Sequence, residues 1–270
     1  MATETLTPKS IAGLTIVPVQ NRAPYLNILI YGDSGVGKTT LAGSADAVPG
    51  MRPVLVVDVE GGTESLRDPY PDVETVRVKS WQEMQNLYDV LYVGDHPYKT
   101  VVLDSLTEIQ KFNMNNIMND LLMKHPDREL DVPSMREWGI NLEQMRRMVR
   151  GFRDLEMHTI MTALEKDDRD DLTGKRRVLP MLSGQLAKQV AAFMDVVGYY
   201  YVKQIGQGDG AEFRRLLLTQ ATDKYTAKDR SGKLPAVVEA PDMPALFKLM
   251  YPKTTDKTNK TDKLKVEVAP

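Results

Sequence analysis

The chain reads as a three-layer α/β protein with a mostly parallel central sheet. Three observations predict it. Short apolar runs recur at 26–31, 54–59, 100–103 and 159–164, each of a length that suits a buried strand. Segments with apolar residues at helical spacing fall between them, so strand and helix alternate. Glycines or carboxylates follow the first three runs, at the strand ends where open sheets of this class bind ligands.

Composition sets the frame. The chain has 270 residues, enough for one large domain or two small ones. Lys plus Arg is 35 and Asp plus Glu is 37, a formal net charge of −2 that excludes nucleic-acid binding by bulk charge and leaves a local basic patch open. No cysteine is present, so disulfides, zinc–thiolate sites, iron–sulfur clusters and cysteine nucleophiles are excluded. The three histidines (His96, His125, His158) are far apart in sequence, which argues against a multi-histidine metal site. No stretch approaches the roughly 20 apolar residues of a membrane span. Residues 1–10 lack the basic start and apolar core of a signal peptide, and the expected location is the cytoplasm.

Three prolines break residues 1–24, which read as an irregular lead-in. A strand is expected over 26–31, then a glycine-rich turn over 32–37 and a helix from Thr39. Residues 54–59 are a second buried strand, and 73–78 mix Val and Thr with charges, as a more exposed strand does. Ser80 with Glu83 three residues on is a capping box, opening a helix that carries Trp81, Met84, Leu87, Tyr88 and Leu91. Strand 100–103 precedes a helix with Leu106, Ile109, Ile117 and Leu121. A second long helix carries Met135, Trp138, Leu142, Met145, Val149, Phe152 and Leu155. Its spacing predicts Trp138 in the core, and the methionines (Met114, Met118, Met145, Met148) read as core filler. Strand 159–164 leads to a charged loop over 166–180, then a helix over 183–194. Strands at 196–202 and 213–219 read as a hairpin around Gly206, Gly208 and Gly210. The segments form one domain over 25–252, and the Lys/Thr/Asp-rich stretch 253–270 reads as a disordered polar tail.

The strongest chemical signal is Gly32-Asp33-Ser34-Gly35-Val36-Gly37-Lys38-Thr39, followed by Thr40. It matches G-x-x-x-x-G-K-[ST] in full, with a strand before it and a helix after it. Glycines let the backbone wrap around phosphates, and the amides then face the anion. Lys38 is expected to reach the β- and γ-phosphates and the Thr39 hydroxyl to bind Mg²⁺. Asp104, at the end of the 100–103 strand, is the expected second metal residue, holding a water of the Mg²⁺ shell. It also fits a helix cap. Residues 54–62 end in Asp58, Glu60, Gly61 and Gly62. If that strand adjoins the cradle strand, Glu60 sits beside the γ-phosphate as the base that deprotonates water. Asp58 is its competitor, and both also fit a plain turn.

The nucleotide reads as ATP. Asp58-Val59-Glu60-Gly61 fits D-x-x-G and 259–262 fits N-K-x-D, the guanine-reading pattern. The second match lies in a low-complexity tail with no strand to hold it.

These strings, with Ser80-Trp81 and 98–108, resemble a phage family of the RecA-like branch of P-loop ATPases that includes Sak-type single-strand annealing ATPases. The resemblance implies a Mg²⁺-dependent, RecA-like ATP hydrolase that works as a homo-oligomer, ring or filament, on single-stranded DNA in phage recombination. It implies a phage single-strand binding protein as a further partner. It also implies Glu60 as catalytic glutamate. Lys228-Asp229-Arg230-Ser231-Gly232 resembles the K-x-R-x-G segment whose cations reach a neighbour's γ-phosphate, which would make Lys228 and Arg230 catalytic in trans. A solvated basic turn is the other reading. The family's polar γ-phosphate sensor has two candidate matches, Thr162 and Glu165. DNA contacts would fall to Lys175, Arg176 and Arg177, or to 124–136 with His125 and Arg128. Neither loop holds an aromatic on which a base could stack. A nucleotide-dependent switch with little turnover and a small-molecule or nucleotide kinase are the rival functions.

Overall fold

The structure is a computed structural model and describes residues 9–12, 14–16, 25–125, 132–169, 174, 176–206 and 211–252. The lead-in holds an antiparallel pair, β1 (Lys9–Ile11) and β2 (Leu14–Ile16), where the sequence suggested only irregular chain. The expected tail over 253–270, with its N-K-x-D match, lies outside the described residues.

The body begins with β3 (Asn27–Gly32), α1 (Lys38–Gly43), β4 (Val54–Asp58), β5 (Glu74–Arg77), α2 (Trp81–Val93), β6 (Thr100–Asp104), α3 (Leu106–Lys124) and α4 (Met135–Arg153). It continues with β7 (His158–Arg169), β8 (Arg176–Pro180), α5 (Leu186–Phe193), β9 (Val196–Ile205), β10 (Glu212–Leu218), β11 (Lys228–Asp229), β12 (Val237–Glu239) and α6 (Met243–Met250). The strand order is β12-β10-β9-β3-β7-β6-β4-β5, with β11 beside β9 and β8 beside β7. From β9 through β5 every pair is parallel, and β10, β11, β12 and β8 add antiparallel edges.

Strand alternation sorts the core onto two faces. Leu29, Tyr31, Val57, Leu103, Met161 and Val197 pack under α2 to α5 through Trp81, Leu106, Met145, Phe152 and Val190. Ile28, Ile30, Val56, Val102, Ile160 and Leu217 pack under α1 and α6 through Leu41, Ala42 and Leu246. The expected three-layer, mostly parallel sheet is observed. The methionines behave as filler: Met114, Met118 and Met145 are buried and Met148 packs against the core. Trp138 departs from expectation. It is 39% exposed, because α4 turns Asn141, Met145, Val149 and Phe152 inward.

Three local readings also shift. Ser80 caps α2 by accepting from Glu83 N at 3.2 Å, but the Glu83 carboxylate takes the amide of Lys79 rather than that of Ser80. The reciprocal capping box sits instead at Ser134 and Glu137, which open α4. The charged stretch over 166–180 is not a plain loop. β7 runs past the sheet edge and pairs antiparallel with β8, Lys166 opposite Leu179 and Arg169 opposite Arg176. Val178, Leu179 and the Glu165-to-Pro180 register anchor this arm to the core.

Candidate active site

The C-terminal ends of β3, β6 and β4 meet at one edge of the sheet, and the site is built there. β3 delivers the chain to Gly32, where a Cβ would lie 2.0 Å from the Tyr200 carbonyl oxygen of β9. Only glycine lets the strand turn that closely past its neighbour. The loop then bends through Gly35 and Gly37 at φ 76° and 99°, and α1 starts at Lys38. The Lys38 ammonium folds back over the loop, donating to the carbonyls of Gly32 at 3.1 Å and Asp33 at 2.8 Å. Burial holds its pKa below the usual lysine range, and the charges of Asp104, Glu60, Asp33 and Glu165 pull it partly back.

β6 carries Asp104 to the same edge. Its carboxylate accepts from Thr39 Oγ1 at 2.6 Å and from the fully buried Thr162 Oγ1 of β7. Thr162, a sensor candidate, thus holds the Asp104 carboxylate. The Asp104–Ser105 peptide is cis.

Glu60 reaches the site by another route than expected. β4 does not adjoin β3, since β7 and β6 lie between them. The carboxylate is exposed, and it arrives because Ser105 Oγ, just after Asp104, donates to Glu60 Oε1. Asp58 does different work. It is buried and accepts from Gly61 N at 2.5 Å, Gly62 N at 3.3 Å, Thr63 Oγ1 at 3.3 Å and Arg77 Nη1 at 3.2 Å. It closes the turn that carries Glu60 and has no oxygen to spare for a reacting water.

Glu165, the other sensor candidate, ends the β7 core segment beside Gly32, and among the described residues its buried Oε2 has no hydrogen-bond partner. Its neighbours are the stacked Tyr199 and Tyr225, 4.4 Å apart between ring centroids. Burial, then the Glu165 charge and hydrogen bond, drive the Tyr199 hydroxyl well above the tyrosine range.

A cleft of about 600 Å³ opens beside the cradle, lined by Gly37, Thr40, Tyr70, Tyr200, Phe213 and Arg215 among others. None of the cleft residues outside the loop was singled out in the sequence. Tyr200 and Arg215 lie on strands, in alternation that looks like ordinary sheet patterning.

Lys228 and Arg230 do not join the site. β11 pairs with the start of β9, at the sheet end opposite the cradle. The Lys228 ammonium donates to the carbonyls of Ala191, Ala192 and Met194, and Arg230 pairs with Asp195 at 2.7 Å. Of the basic DNA candidates, Arg176 and Arg177 are exposed on the β7–β8 arm, with Arg176 3.8 Å from Asp167. Lys175 and Arg128 lie outside the described residues, and His125 caps the end of α3.

The donor set fits a magnesium nucleotide. Thr39 and Asp104 offer hard oxygens at contact distance from one another. That matches an ion bound through few protein ligands together with phosphates and water. Fold and site together define a P-loop nucleotide-binding protein. Residues 25–231 match the family described as AAA domain, and the chain belongs to that family.

Among solved structures, the chain is similar to a prototypical ATPase from the type III secretion system of pathogenic bacteria. Identity is 16% and the TM-score 0.43, over 64% of this chain and 50% of that one. It is also similar to the flagellar accessory protein FlaH from Methanocaldococcus jannaschii, at 12% identity and a TM-score of 0.41, over 80% of this chain and 85% of that one. The chain thus spans half the length of the secretion ATPase. No curated protein matches the sequence. Among the described residues no helix is long and apolar enough to cross a membrane.

Proposed function

We propose that the chain hydrolyses ATP with Mg²⁺. The observation that carries this reading is the convergence of Lys38, Thr39, Asp104 and the Ser105-held Glu60 at one sheet edge. The amides of Ser34 to Thr39 hold the phosphates. Lys38 exchanges the carbonyls of Gly32 and Asp33 for phosphate oxygens. Thr39 and Asp104 hold the ion, with Thr162 fixing the carboxylate. When bound, Mg²⁺ offsets charge on the β- and γ-phosphates. Glu60, oriented by Ser105, takes the proton of the attacking water. The nucleoside lies in the cleft bounded by Tyr70 and Tyr200.

Single-stranded DNA is the proposed effector, with assembly into a ring or filament. The resemblance to annealing ATPases supports it, as do the exposed Arg169, Arg176 and Arg177 on an arm at the cradle end of the sheet. Charge on that arm is partly offset by Asp167 and Asp168, so binding through it is expected to weaken with salt along a shallow slope. The test is phosphate release against added single-stranded DNA at several salt concentrations. Turnover that lacks any dependence on Lys38 would remove the ATPase reading. Turnover unmoved by DNA would remove the effector, and negligible turnover with or without DNA would favour a switch.

A further inference from the structure

Arg215 stands apart from the other cations of the described residues at this edge. It sits on β10, two strands from β3 on one side, as Asp104 sits two strands from β3 on the other. Its backbone is fixed twice, by pairing opposite Val202 and by Ala240 N donating to its carbonyl at 2.9 Å. The side chain crosses to the cradle, where Nε donates to the Val36 carbonyl at 3.1 Å. A Cβ on Gly37 would meet Arg215 Nε at 3.4 Å and Cδ at 3.8 Å, so the side chain lies directly against the loop.

A guanidinium has five donors, and among the described residues this one uses a single N–H on protein. No carboxylate pairs with it among the described residues, whereas its neighbour Arg214 is held by Glu212 at 2.9 Å and Glu239 at 3.6 Å. Among the described residues both terminal nitrogens of Arg215 are therefore uncommitted, in a cleft that Gly37 and Thr40 also line. A bound triphosphate brings more negative charge than one lysine offsets. A rigidly based, unpaired guanidinium on the open side of the loop suits that excess.

We infer that Arg215 binds the non-transferred phosphates of the nucleotide in cis, where the cradle meets the nucleoside cleft. The inference rests on the nucleotide reading above and names a contact that reading lacks. The position beside Val36, Gly37 and Thr40, rather than beside Glu60, sets the phosphate: Arg215 grips what ATP and ADP share. Its contribution is uniform binding, so it raises affinity without a matching effect on the chemical step.

The experiment measures binding of fluorescent ATP and ADP analogues, with Mg²⁺, to the full chain. The wild type is compared with Arg215→Gln, Arg215→Lys and Lys38→Ala. Glutamine can still donate to the Val36 carbonyl but carries no charge, so it separates the loop tie from the phosphate contact. Arg215→Gln should weaken ATP and ADP alike by about 10- to 100-fold, the range of a charge-assisted hydrogen bond. Arg215→Lys should recover part of the loss, and KM for hydrolysis should rise with kcat little changed. Equal binding by Arg215→Gln and the wild type overturns the inference, as does a loss confined to ATP. A wild-type chain that binds neither nucleotide removes the underlying nucleotide reading itself, and this contact falls with it.

Discussion

Thr39 Oγ1 lies 2.6 Å from Asp104 Oδ2, although 65 residues separate them and β3, which leads into Thr39's helix, lies two sheet positions from β6. The hydroxyl that would face a metal and the carboxylate that would hold the metal's water already touch. Asn at 104 can still accept from Thr39 but brings no charge. Asp104→Asn is therefore expected to fold normally and lose hydrolysis by about 100-fold or more. Nucleotide affinity should become insensitive to Mg²⁺. Titration calorimetry with and without the metal, beside steady-state phosphate release, reads both effects.

Asp58 and Glu60 separate cleanly by burial and partners, and their variants should separate too. Glu60→Gln keeps an acceptor for Ser105 and loses the base. Binding should persist while turnover falls about 10²- to 10⁴-fold. Asp58→Ala strips four donors of a shared, buried acceptor. It should lower unfolding free energy by about 1–3 kcal/mol. Denaturant unfolding and phosphate release on both variants decide the assignment. Normal hydrolysis by Glu60→Gln would return the base to an open question.

His158 gives the fold a pH signature. The ring is buried against Leu26, whose amide donates to Nδ1 at 3.0 Å. Burial holds its pKa below the usual histidine value, with a hydrogen bond to the Gly50 backbone opposing in part. Protonation would set N–H against N–H at Nδ1. Below about pH 6.5 the unfolded chain takes up a proton that the native state refuses. Stability should thus be full above that pH and fall as pH drops from about 6.5 to the depressed native value, by at most about 1.4 kcal/mol per unit. Asn at 158 can present an acceptor without titrating, so His158→Asn should flatten this part of the profile. Denaturant midpoints measured between pH 5 and 8 give the answer.

Much of this architecture was legible because strong local signals agreed. The buried runs, the glycine loop and the carboxylate at the end of β6 each follow from pattern and mechanism together. Strand order was not legible. Nothing in residues 54–62 tells that β6 and β7 intervene between β4 and β3, so Glu60's approach through Ser105 could not be foreseen. Arg215 was hidden for a related reason: a single arginine in a strand carries no motif, and only the pairing of β10 beside β9 brings it to Val36. The 166–180 arm reads as a loop because its dense charges look solvated. The cue was Val178 and Leu179, which give β8 a buried anchor.

Lys228 and Arg230 pose the sharpest remaining contrast, between work within the chain and work on a neighbour. Lys228 places one ammonium over three carbonyls at 2.7, 3.1 and 3.4 Å, at the end of α5 where free acceptors and the helix dipole both favour a cation. Its pKa is lowered by burial and by the like charge of Arg230, with Asp195 opposing. Arg230 adds the ion pair to Asp195 and a weaker bond to Ala192 O at 3.4 Å. A cation so committed must break these bonds before it can reach another subunit's phosphate. Lys228→Ala and Arg230→Ala are each expected to lower stability by up to about 1 kcal/mol, solvent screening keeping the value small. Hydrolysis per folded chain should stay within a few-fold of the wild type. The opposite result is as readable. A thousandfold loss of turnover in a variant that melts normally, with wild-type turnover rising steeply with protein concentration, would assign both residues to a neighbour's phosphate.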